Sequence, residues 1–177
     1  TETAEIVERQ AKIYYELAKY KEAVEKFEKL LGMEKANFSF SSMEKYCNIR
    51  AKLCVKEIFQ DGTKISPKLK EEAYNKTLIV IGDLKILLFA GDTASRLNLL
   101  ASAYKRLAML APDKNKRFLA LKESMAYYLK AMKKSHEDDH IYPLINAIEI
   151  STILVLSKAI KPEGTFTVDT KKYKVFS

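Results

Sequence analysis

The pattern from Leu97 to Ala111 restricts the fold more than any other stretch of this chain. Leu97, Leu100, Tyr104, Leu107 and Leu110 recur every three or four residues, with Ala101, Ala103 and Ala108 set among them. That spacing marks one buried face of a helix. The large side chains supply apolar area, and the alanines let a neighbouring helix approach closely. Such a face needs a partner helix on each side, and comparable segments stand before and after it.

The chain length of 177 residues suits one domain with a real core better than two. Hydrophobic residues at 47%, charged residues at 31%, and only 5 Gly and 4 Pro favour an ordered helical protein over a disordered or all-β one. A formal net charge of +8 attracts polyanions, anionic membrane or an acidic protein. Its ordinary counterpart is a lysine-rich solvated surface. Cys47 and Cys54 stand seven apart, which on a helix puts them on one face about 10 Å from each other, too far for a disulfide. They read as reduced core thiols in a cytoplasmic setting, and without flanking histidines they make no zinc site. Thr-Glu-Thr-Ala-Glu at the start has neither a basic segment nor an apolar run, so no signal peptide is visible and no membrane role is expected. The chain does not begin with Met, which suggests a piece of something longer.

Taken in order, residues 3–31 predict two antiparallel helices. Ile6, Val7, Ala11, Tyr14 and Leu17 form one stripe, and Ala23, Val24, Phe27, Leu30 and Leu31 the other, joined through Ala18-Lys19-Tyr20-Lys21. Gly32 offers a left-handed stop. Ser41 with Glu44 reads as a capping box for a helix to about Phe59, ended by Asp61-Gly62. Ser66-Pro67 opens the next helix, running to Gly91. Within it, Thr77-Leu78-Ile79-Val80-Ile81-Gly82-Asp83 also fits a buried parallel strand, but no second strand and no glycine-rich phosphate loop follows, so helix is expected. Gly82 there costs about 1 kcal/mol relative to Ala and marks a close helix approach or a break. Asp92 or Thr93 caps the helix that ends before Pro112. Its partner begins after Asp113-Lys114-Asn115 and carries Leu121, Ser124, Tyr128 and Ala131. A last helix starts near His140, has Pro143 in its first turn and runs to Lys161-Pro162. Its apolarity over 144–156 is nearly all-round, implying burial on more than one side or a bare face. Residues 165–176 alternate with period two and predict an extended tail or hairpin.

Ala11, Tyr14, Tyr20, Ala23 and Phe27 occupy the small and aromatic positions of a tetratricopeptide repeat (TPR), in order and spacing. The chain resembles that family there, which implies an all-α fold of antiparallel helix pairs stacked as a right-handed α-solenoid over 1–161, followed by a tail at 162–177 that leads toward a further domain. Ala11, Ala51, Ala101 and Ala147 fall at one small-residue position, with offsets of 40, 50 and 46 residues against the usual value of about 34.

Three blocks resemble something narrower. They are Leu100-Ala101-Ser102-Ala103-Tyr104-Lys105-Arg106, Tyr127-Tyr128-Leu129-Lys130-Ala131 and Ile141-Tyr142-Pro143-Leu144-Ile145-Asn146-Ala147. They are similar to the TRAF-binding helical-repeat region of apoptosis signal-regulating kinases and to its bacterial relatives, where such repeats sit beside effector or protease-like domains. Pro143-Leu144 departs from related sequences, which often carry Gly after that Tyr. The resemblance implies a non-catalytic regulatory scaffold attached to another domain.

In a TPR-like frame the first helix of each pair lines the binding groove, which singles out Lys12, Tyr15 and Glu16, then Lys52 and Lys56, then Asn98, Ser102, Lys105 and Arg106, then Ile148 and Ser151. The basic members suit a partner protein or peptide of acidic character. A chaperone-type carboxylate clamp would want Lys and Asn four apart on the first helix, where this chain has Glu8 and Lys12. Nucleic acid is the alternative partner, on charge alone. His136-Glu137-Asp138-Asp139-His140 spells the zinc-hydrolase pattern H-E-x-x-H, but the run joins two predicted helices and no other histidine exists, so a Glu or Asp would have to be the third ligand; a metal-dependent hydrolase is the remote alternative. No catalytic constellation, metal site or cofactor site is expected.

Overall fold

The computed structural model describes residues 2–33, 38–59, 66–136 and 139–159. Seven α-helices carry the described chain: α1 Ala4–Glu16, α2 Tyr20–Leu31, α3 Phe40–Phe59, α4 Pro67–Phe89, α5 Ala94–Leu110, α6 Lys114–Lys134 and α7 Ile141–Leu156. They stack as antiparallel pairs, α1 on α2, α3 on α4 and α5 on α6, with α7 laid against α6. This is the all-α, TPR-like architecture expected. No described residue is in a strand, and no helix of the described chain is long and apolar enough to cross a membrane.

Small residues decide where the pairs stack. Ala11, Ala51 and Ala101 are wholly buried and Ala147 is 1% exposed. One main core runs from α3 to α7 and includes Cys47, Val80, Leu84, Leu100, Tyr128 and Ile150. Tyr104 stacks on Tyr127 with ring centroids 5.7 Å apart. The buried Ser124 hydroxyl donates to the Ala101 carbonyl at 2.7 Å, binding α6 to α5. A second, aromatic cluster holds α1 and α2 onto α3 through Phe27, Phe38 and Tyr46. Cys47 and Cys54 are free and buried, and burial pushes the Cys47 thiol up to about 12.

Several local expectations are corrected. The first turn is shorter than expected: Tyr20 and Lys21 already belong to α2, and Ala18 takes the left-handed turn at φ 55°. Gly32 is right-handed at φ −82°. Ser39, not Ser41, caps α3, its hydroxyl accepting from the Ser42 amide at 3.2 Å, while Glu44 pairs with Arg96 across the helix boundary. Residues 77–83 lie inside α4 as expected, yet Gly82 marks neither a break nor a close approach, because a Cβ there would meet nothing within 4 Å. Thr93 caps α5, accepting from the Arg96 amide, and α6 starts directly after its N-cap Asp113. α7 stops at Leu156, short of Lys161. Its second apolar side is bare, with Ile141, Ile145 and Leu156 exposed. The Asp61-Gly62 stop and the tail lie outside the described residues.

Candidate binding cavity

The odd-numbered helices stand side by side in parallel, joined by polar contacts at matching heights. Lys45 of α3 pairs with Glu16 of α1, and Asn48 donates to the Tyr15 hydroxyl at 2.9 Å. Arg96 of α5 pairs with Glu44 of α3 at 2.7 Å. Ser102 lies 3.3 Å from the Tyr142 hydroxyl of α7, and Lys105 donates to Asn146 and Glu149, each at 2.9 Å. Helices spaced this way leave a furrow between side chains. A cavity of about 510 Å³ occupies it, within the usual size range of small-ligand sites.

Three walls make the cavity. From α3 come Asn48 and Lys52, one turn apart. From α5 come Ala94, Ser95, Asn98, Leu99, Ser102 and Arg106, of which Asn98, Ser102 and Arg106 form a single row at four-residue spacing. Lys134, Ser135, His136, Asp139 and Tyr142 close it from the end of α6 and the start of α7.

The electrostatics are lopsided. Arg106 Nη1 is buried with no hydrogen-bond partner, and so is Asn98 Oδ1. Desolvation is the largest influence on the Arg106 pKa and lowers it, and no carboxylate stands among the main groups acting against it. Lys52 lies over the Tyr20 ring at 5.0 Å and donates to its hydroxyl at 3.4 Å. Lys134, by contrast, is neutralised by Asp92 at 2.5 Å. Ser102 shares its hydroxyl with Tyr128 at 2.8 Å, and burial raises the Tyr128 pKa, keeping that phenol a neutral donor. The lining sets Lys52, Arg106 and Lys134 against the one carboxylate of Asp139, with Tyr142 as its one tyrosine, a charge balance that favours an anion over a cation.

With helix pairs, buried alanines and this furrow established, comparison with known families adds that the Tetratricopeptide Repeats-Sensor (TPR-S) profile matches residues 19–154. The chain belongs to the TPR-S family. Among curated proteins and solved structures there is no significant match.

Within this TPR-S chain the structure brings together four of the eleven groove residues expected from sequence. Lys52, Asn98, Ser102 and Arg106 line the cavity, and Tyr15 stands behind it, holding Asn48. Six do not take part. Lys12 is engaged by Glu8 at 3.0 Å, Lys105 is held by α7, and Lys56 lines a separate hollow beside the α1–α2 turn. Glu16 is taken by Lys45, Ser151 is buried against its own helix, and Ile148 is absent from the cavity lining. The polar lining residues outside the groove set expected from sequence are Asn48, Ser95, Lys134, Ser135, His136, Asp139 and Tyr142. Asn48 was findable, since it precedes Lys52 by four on the same first helix.

The H-E-x-x-H run does not form a helical metal motif. α6 ends at Lys134 and α7 begins at Ile141, so His136 and His140 both lie outside the two helices; His140 is the N-cap of α7, and its Nε2 lies 2.8 Å from the Ser135 carbonyl. Glu137 and Asp138 lie outside the described residues, and no group of three potential metal ligands occurs among the described ones.

Proposed function

We propose that this TPR-S chain is a non-catalytic regulatory module of a larger signalling or effector protein, and that it takes an acidic segment of a partner protein in the α3–α5–α7 cavity. Membership of a TPR-type family supports a protein-interaction role in general. The observation that carries the finer reading is the pair Lys52 and Arg106, two cations on one cavity with no carboxylate partner among the described residues. A partner carboxylate entering there satisfies the orphaned guanidinium and loses little by desolvation, because charge-assisted hydrogen bonds replace its water. The likeness of the 100–106, 127–131 and 141–147 blocks to the adaptor-binding repeats of apoptosis signal-regulating kinases agrees with such a role. On this reading the repeat unit extends through residue 161 beside another domain, in the cytoplasm, where thiols such as Cys47 and Cys54 stay reduced.

The test is selection of displayed random peptides on the immobilised 177-residue protein. Enrichment of Asp and Glu is expected, with loss in Lys52→Glu/Arg106→Glu and retention in Lys56→Glu. Equal enrichment by the double variant, or none by the parent protein, refutes the reading.

A further inference from the structure

The cavity lining carries Lys52, Arg106 and Lys134, the last paired with Asp92, against the single carboxylate of Asp139. Lys52 and Arg106 line the same cavity from α3 and α5: Lys52 Nζ is 5.0 Å from the Tyr20 centroid and 5.9 Å from that of Tyr15, and Arg106 Nη1 is buried without a hydrogen-bond partner. Neither cation has an ion pair among the described residues, whereas the other basic member of the lining, Lys134, is matched by Asp92. A carboxylate would leave one charge of this pair uncompensated in a half-buried place. A phosphate monoester carries between about −1.5 and −2 at neutral pH and three acceptor oxygens. That matches one guanidinium plus one ammonium in both charge and donor number.

A second orphan sets the rest of the ligand. Asn98 Oδ1 is buried without a donor, eight residues before Arg106 on the same helix, hence about 12 Å away along α5. A ligand that satisfies both carries a phosphoryl group at one end and an N–H or O–H at the other, lying along the Asn98–Ser102–Arg106 row. The volume of about 510 Å³ admits a molecule or segment of that size.

We propose that Lys52 and Arg106 form a seat for a phosphate monoester dianion, with Asn98 accepting a hydrogen bond from the remainder of the ligand. The proposal rests on the reading of this cavity as the binding face and replaces its carboxylate by a phosphoryl group. The phosphoryl group arrives either on a free small ester or on a phosphorylated serine of the partner segment.

Calorimetric titration of the 177-residue protein decides it, using peptide pools that differ only in a central phosphoserine, aspartate or serine, together with free O-phosphoserine and phenyl phosphate. The phosphoserine pool is expected to bind at least about tenfold more tightly than the aspartate pool. Arg106→Gln and Lys52→Gln should each lose about tenfold or more, and Asn98→Leu a smaller factor. Binding of the free esters at comparable affinity identifies a small-molecule source; binding of the phosphoserine pool alone identifies the partner segment. Equal or tighter binding of the aspartate pool, still lost in Arg106→Gln, overturns the phosphoryl seat and leaves the acidic-segment reading standing. Absence of binding by every probe overturns both. Thermal unfolding of each variant separates lost binding from lost folding.

Discussion

Arg96 and Glu44 are 52 residues apart in sequence and 2.7 Å apart in space, Nε of the guanidinium donating to Oε1 of the carboxylate. The same guanidinium donates through Nη1 to the carbonyls of Leu87 at 3.2 Å and Gly91 at 2.9 Å. One side chain therefore fixes the end of α4, the α4–α5 turn and the flank of α3. Gly91 sits at φ 140°, a conformation that side-chain-bearing residues rarely adopt, and so brings its carbonyl to that guanidinium.

Arg96→Ala is expected to destabilise the fold by about 2–3 kcal/mol, because it strands a partly buried carboxylate and two carbonyls. Chemical denaturation measures this. A loss below about 1 kcal/mol would mean that the clasp does not hold the second and third pairs together.

Gly82→Ala should stabilise α4 by about 1 kcal/mol. The position is exposed, mid-helical and open, so the methyl group meets no neighbour and the gain comes from backbone entropy. A higher denaturation midpoint at unchanged slope is the expected result.

Glu8 makes the fold acid-sensitive. Hydrogen bonds from Ser39 at 2.6 Å and Ser42 at 2.5 Å, with Lys12 alongside, hold its pKa near 2 against an ordinary 4.5. The folded state thus favours the ionised form. Its contribution is full above the unfolded pKa and fades as pH falls from about 4.5 toward about 2. Glu8→Gln should melt lower than the parent at neutral pH and converge with it near pH 2, as thermal scans across that range would read. Parallel pH profiles would contradict the assignment.

The helices and their pairing were legible because period and stops are local properties. Leu97–Leu110, Ser66-Pro67 and the Ala11–Ala51–Ala101–Ala147 positions each name their place without reference to distant residues. Most of what sequence reading misplaced depends on contacts between helices. Glu44 has the spacing of a capping-box residue but is claimed by Arg96 from another pair. Lys12 and Lys105 have groove spacing but are neutralised by Glu8 and Glu149, whereas Lys52 and Arg106 are not. The Glu8–Lys12 pair, four apart on α1, is readable from that helix alone, whereas the Lys105–Glu149 pair is not. Tyr142 joins the cavity only because α7 lies parallel to α5 and brings its hydroxyl to Ser102.

The most direct measurement of the central claim compares Arg106→Met with the parent protein in two readouts, melting temperature without ligand and binding of the anionic peptide pools. A guanidinium kept for a ligand has no folded-state partner, so its removal should leave the melting temperature equal or raise it by about 2–4 °C, while binding is lost. A fall in melting temperature of several degrees with anion binding intact would contradict the account, because Arg106 would then serve the fold and not a ligand.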